Sequence, residues 1–289
     1  MAVTRFNFQG FFTNPKTILT LGLGFILSYF LSEKAIMVAE LYQAPIQVIE
    51  PFLWTFGDTA SVLAASMLLI FLFSDVPKLS PVTPFYLSRI SKGRWLIGQF
   101  LYVTLATGIY LGAVALSTSV LCMKHSFVGN IWSKTAALLG YSKLGEDMLV
   151  PSSVKVMESI TPYSCMIRLL ILLLGYSLTL GFLILAVNLI TGKNYGIFAG
   201  IVYSIAGYLL SPAALRAITG LEDYELYKIN VFLGWVSPLN HATYARHSFG
   251  YDKLPTLLQS YLVFGGILMI LFLLSLRALK HYNFEFLGR

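Results

Sequence analysis

Apolar residues run along this chain in unbroken tracts rather than in the alternating or every-third-residue patterns of half-buried strands and surface helices. Six tracts stand out, at approximately 17–37, 52–73, 95–121, 165–190, 195–212 and 256–279. About 20 apolar residues in helical form span a hydrocarbon core roughly 30 Å thick, so each tract is expected to cross a membrane. The fifth is the shortest. The expected fold is an all-α integral membrane protein, with residues 1–289 forming a single domain. The first tract reads as a retained span rather than a cleaved leader, because it is long and lacks a small-residue exit.

Between the tracts lie three segments with a character of their own. "RFNFQGFFTNPK" sets Phe6, Phe8, Phe11 and Phe12 beside Arg5 and Lys16, as an amphipathic helix on a membrane surface requires or as an ordinary aromatic belt would show. Residues 122–164 are too long for a turn, and Trp132, Leu138, Leu139 and Leu144 predict short interfacial helices there. Residues 213–255 are too apolar for a free loop yet carry Gly234, Pro238 and Gly250, which predicts a broken helical hairpin dipping into the membrane.

Composition agrees with the pattern. Of the 289 residues 57% are hydrophobic and only 11% charged, far below the quarter or so usual in soluble domains. Charge then orients the chain. With six spans, one face holds Arg5, Lys16, Lys78, Arg89, Lys92, Arg94, Lys193, Arg277, Lys280 and Arg289 against Asp75 and Glu285. The other face is balanced, so the basic face, with both termini, is expected in the cytoplasm of a bacterial plasma membrane. The net charge of +7 therefore reports topology and anionic lipid headgroups rather than nucleic acid.

Signatures of catalysis are missing. The chain has no G-x-S-x-G, no H-E-x-x-H and no Cys/His metal spacing. "TGKN" at 191–194 lacks the rest of a phosphate loop, so no ATP hydrolysis by this chain alone is expected. His241 and His247 are six apart, the wrong spacing for one helical metal face, and read as capping or cavity-lining groups. Cys122 and Cys165 flank the first long outer loop; two unpaired small apolar residues are preferred over a disulfide. Gly108 and Gly112, and Gly196, Gly200 and Ser204, form small-residue stripes that suit close helix packing, within one subunit or between two.

Asp58 is the one carboxylate inside a predicted span, on a helical face with Trp54, Ser61 and Ala65, and Thr55 and Thr59 beside it. A lone charge costs several kcal/mol in lipid, so Asp58 is expected to face either cargo and cavity water or a donor on a neighbouring helix. Between spans two and three, Pro81, Thr83 and Pro84 predict a fresh helix over 84–92, ended by Gly93. That helix would carry Phe85, Tyr86, Arg89, Ile90 and Lys92, with Arg94 just beyond.

The order of parts resembles a permease subunit of the ABC transporter type-2 exporter family. "RISKGRWLIGQFLYV" at 89–103 is similar to the basic loop leading into span three of those permeases, and "WVSPLNHATYARHSFGY" at 235–251 to their external hairpin. The 122–164 loop is longer than the family pattern. The resemblance implies an export machine of two permeases, identical or related, and two separate ATPase subunits that hold ATP and Mg; this chain binds no cofactor. It implies that 83–94 dock on the ATPase as a coupling helix and that spans two and five line the path. The path candidates are then Trp54, Thr55, Asp58, Thr59, Asn188, Tyr203 and Tyr208, and the external hairpin presents Trp235, Pro238, His241 and Arg246. This lining suits an amphipathic lipid, drug or peptide. The alternative is a membrane sensor or accessory subunit of the same fold that moves nothing.

Overall fold

A computed structural model describes residues 2–79, 83, 89–209 and 226–282. Helices dominate; among the described residues the only strands are β1 (Ile46–Gln47) and β2 (Ser126–Phe127), paired in parallel.

Among the described residues, four helices are long and apolar enough to cross a membrane: α2 (Pro15–Leu41), α5 (Lys92–Cys122), α9 (Pro162–Thr191) and α13 (Leu257–His281). Each starts on residues suited to a helix N-terminus. The Asn14 side chain accepts from the Lys16 amide ahead of α2, and Ser91 from the Arg94 amide ahead of α5. Pro162 opens α9, which ends at Gly192 in the left-handed conformation, φ 67°. Thr256 and Gln259 close a reciprocal capping box on α13. Large apolar side chains such as Ile18, Leu23 and Phe30 on α2, and Leu262, Met269 and Leu273 on α13, point outward. A face of that kind on a helix of spanning length is what lipid contact asks for.

The second predicted span is not one helix. It divides into α3 (Glu50–Thr55) and α4 (Thr59–Leu72), and the physical cause is the Gly57–Asp58 pair. A Cβ on Gly57 would lie 2.7 Å from the Pro151 carbonyl oxygen, and the Asp58 side chain caps α4 by accepting from the Ser61 amide at 3.0 Å. The fifth is α10 (Gly196–Leu209), of 14 residues like α4; each rises about 21 Å, less than a bilayer core.

α9 is the axis of the bundle. α13, α10, α5 and α4 pack around its buried Leu172, Tyr176, Leu180 and Ile184. Near the end of α9, Asn188 ties the start of α10 to the segment after α4: its amide nitrogen donates to Val76 O at 2.6 Å while its oxygen accepts from Gly196 N at 2.7 Å.

The N-terminal segment departs from the expectation of a helix lying on the lipid surface. Its helix is only α1 (Ala2–Asn7), and its apolar side is taken up by the protein. Val3 packs on Gly98 of α5, the Thr4 hydroxyl donates to Gly98 O, and Phe8 and Phe11 sit against Tyr102. Phe12 alone of the four phenylalanines points well outward.

The long 122–164 loop folds into a lobe. Its helices α6 (Lys134–Tyr141), α7 (Leu144–Asp147) and α8 (Val154–Ser159) accompany a second small core in which Ala136, Leu139 and Val150 meet Val38 and Trp54. Cys122 and Cys165 are both free and buried.

Candidate functional site

Residues 226–255 build the most elaborate surface of the described chain. α11 (Leu226–Val236) ends as Ser237 and Pro238 start α12 (Pro238–Ala242), and a single 3-10 turn follows at Tyr244–Arg246. Ser237 acts twice: its hydroxyl accepts from the Asn240 amide and donates to Gly207 O on α10 at 3.0 Å. Gly207 permits this approach, since a Cβ there would meet Leu239 at 3.1 Å. The break therefore lies at Ser237–Pro238, whereas Gly234, expected to interrupt the helix, sits inside α11 where Leu254 returns against it.

Between the end of α10, α11 and residues 251–254 lies an open cavity of about 1010 Å³. Thr59, Tyr208, Tyr227, Asn230, Arg246 and Tyr251 are among its walls. Phenol rings with a guanidinium at the side offer stacking surface and a cation together, suited to an amphipathic molecule with an acidic or strongly polar head. Trp235 is half open to the exterior and donates its indole N–H to Lys253 O at 3.1 Å, fixing the far rim. Asp252 is ion-paired with Lys155 of the 122–164 lobe, which also donates to His247 O at 3.1 Å.

The path residues expected from the sequence separate into groups. Thr59 and Tyr208 line this cavity. Trp54 and Thr55 are buried, the Thr55 hydroxyl donating to Pro51 O at 2.7 Å. Asn188 is buried and spends both amide atoms on the backbone. Tyr203 stacks on Tyr176 at 5.6 Å. Asp58 is not on one helical face with Trp54, because the helix is broken between them; it is a cap. Those interior positions for Trp54, Thr55 and Asn188, and the cap, correct the expectation of a continuous polar face along span two and a cavity-facing Asn188.

Of the residues expected to contact an ATPase, Phe85 and Tyr86 lie outside the described residues. Arg89 is exposed and Ile90 half-buried against the main core. Lys92 and Arg94 are exposed on the first turn of α5, which Ser91 caps and which runs straight through Gly93. Gly93 therefore ends no helix, and a separate helix over 84–92 is corrected at its C-terminal end: the cap at Ser91 belongs to α5.

Sequence reading missed Ser260, which lies in the last predicted span and meets both His241 and His247. It also missed Glu50, buried at the start of α3, and the cavity's Tyr227, Asn230 and Tyr251. No local pattern marks Ser260, because both its partners come from the preceding hairpin. Of the stripes, Gly196, Gly200 and Ser204 are buried within the chain, while added Cβ atoms at Gly108 and Gly112 would meet nothing within 4 Å.

No family model, curated protein or solved structure matches the chain.

Proposed function

We propose that the chain is the permease subunit of an ATP-driven exporter of the ABC type-2 kind, working with a second permease copy or homologue and with separate ATPase subunits. Six crossings put both termini in the cytoplasm, with residues 52–73 and α10 as the second and fifth. The outer lobe and the α11–α12 hairpin then stand on the external side of the plasma membrane. ATP and Mg bind the partner ATPase, and the part of this chain is to carry the path and to receive the motion.

The observation that carries this reading is the broken hairpin directly ahead of the last long helix, with a phenol-lined cavity where it meets the end of α10. Arg246 in that cavity, and the use of Asp58 as a cap, favour an amphipathic cargo with an anionic or zwitterionic head over a cation. Gly108 and Gly112, open on the outside of α5, supply a surface on which a second permease can approach closely. The connection before α5, with Phe85, Tyr86, Arg89, Ile90, Lys92 and Arg94, is the ATPase contact.

Affinity purification of the chain from its native membrane tests the proposal. An ATPase with a P-loop copurifies in the expected result, and ATP addition drives cargo movement in reconstituted vesicles. An ATPase that copurifies without any ATP-driven movement would instead favour the sensor or accessory reading.

A further inference from the structure

His241 on α12 and His247 after the 3-10 turn aim at the same hydroxyl. His241 Nδ1 lies 2.7 Å from Ser260 Oγ, and His247 Nε2 lies 2.9 Å from it. The far nitrogen of each ring meets only backbone carbonyls: His241 Nε2 is 3.0 Å from Trp235 O, and His247 Nδ1 is 3.1 Å from both Thr243 O and Tyr244 O. All three side chains are buried, at 2%, 0% and 0% exposure for His241, His247 and Ser260. The capping box at Thr256 and Gln259 fixes the first turn of α13 and with it the position of Ser260.

Counting protons across this cluster gives an uneven result. A carbonyl only accepts, so each far nitrogen carries a proton; a neutral imidazole has just one, which leaves both near nitrogens bare. The Ser260 hydroxyl has one proton to donate and can satisfy one ring. The other near nitrogen then faces an oxygen lone pair at hydrogen-bond distance. Switching either tautomer moves the gap to a carbonyl without closing it. A fourth proton completes the set: one ring becomes an imidazolium that donates to Ser260 Oγ, and the hydroxyl donates to the other ring.

We propose that His241, Ser260 and His247 form a binding site for a single proton, shared by the two rings, which fastens the α11–α12 hairpin to α13.

The surroundings set where it titrates. Burial lowers the proton affinity of both rings, His247 to about 4, with His241 and the Lys155 ammonium of α8 acting in the same direction on His247. Asp252 pairs with that ammonium, and Arg168 of α9 reaches the Tyr244 hydroxyl at 3.5 Å. Phe264, the aromatic neighbour of His241 on α13, is uncharged. The unfilled fourth position pulls the other way for the first proton only, so the pair takes one proton at acid pH and resists a second. In the neutral pair one contact to α13 is lost and the hairpin is held less firmly. The site stands whatever the protein carries.

The test is ring-nitrogen NMR of the full chain, labelled at histidine and held in a lipid nanodisc, as pH is lowered. The chain has four histidines, so a His125→Gln, His281→Gln background leaves only this pair. The expected result is complementary tautomers at neutral pH, then one step in which both rings move together by a single proton. Ser260→Ala uncouples the rings and lowers the proton affinity of the pair, and Ser260→Thr restores the shared step. Two independent full-proton titrations in the parent protein, unchanged by Ser260→Ala, would overturn the proposal. So would the absence of any protonation of either ring above pH 4 in the parent protein.

Discussion

Glu50 holds Ser133 by two groups at once: its carboxylate accepts the Ser133 amide at 2.7 Å and the Ser133 hydroxyl as well. The same hydroxyl accepts from the Ala136 amide and so caps α6. One buried carboxylate thus ties the lobe to the start of α3. Burial raises the Glu50 carboxyl to about 7, against the hydrogen bonds that lower it. The folded chain therefore keeps a proton that the unfolded chain releases near 4.5, and stability is greatest at low pH and falls as pH rises through 7. Thermal unfolding followed through Trp132 in the lobe should show Tm dropping between about pH 5 and 8, by the equivalent of roughly 2 kcal/mol. Glu50→Gln should flatten that slope. A wild-type Tm independent of pH would contradict the assignment.

Asp58 caps α4, and Asn caps as well as Asp does. Asp58→Asn should leave both stability and any transport near wild type, and Asp58→Ala should cost about 1 kcal/mol. A transport assay with both variants separates this from a cargo-binding role, in which Asp58→Asn alone would change cargo preference.

Asn188 joins three pieces of chain through Val76 O and Gly196 N. Asn188→Ala strands both groups in the interior and should cost about 2–4 kcal/mol, read as a lower melting temperature in detergent. Gly196→Ala should be at least as damaging, because its Cβ would clash with Ile184 O. Changed cargo selectivity in Asn188→Ala with unaltered melting would place this residue in the path instead.

How far the sequence reached depends on the range of the forces involved. The long helices α2, α5, α9 and α13 were legible because uniform apolarity over spanning length is a local property, and their caps at Asn14, Ser91 and Thr256 are local too. The break in span two also had a local sign, Gly57 followed by the capping Asp58, which the surrounding apolar residues outweighed. The burial of Val3 and Phe11 on α5 had none, since it depends on Gly98 lying 94 residues from Thr4. Ser260, Glu50 and the cavity tyrosines were illegible for the same reason: their partners are set by packing.

Topology can be read by thiol labelling with little background, because Cys122 and Cys165 are buried. Ser142, exposed on the lobe, should react as Ser142→Cys with an impermeant reagent from outside intact cells, and Ser80→Cys should not. Labelling of the Ser80 position under those conditions would reverse the orientation.

The central claim is that an ATPase drives this chain through the connection ahead of α5. The most direct measurement compares the parent protein with Phe85→Ala, Arg89→Ala for ATPase association and ATP-driven export from the same reconstituted vesicles. The account predicts that the double variant inserts normally and loses most of both, by tenfold or more, the order expected when an aromatic anchor and its flanking cation are removed together. Undiminished ATPase binding and export in the double variant would contradict it.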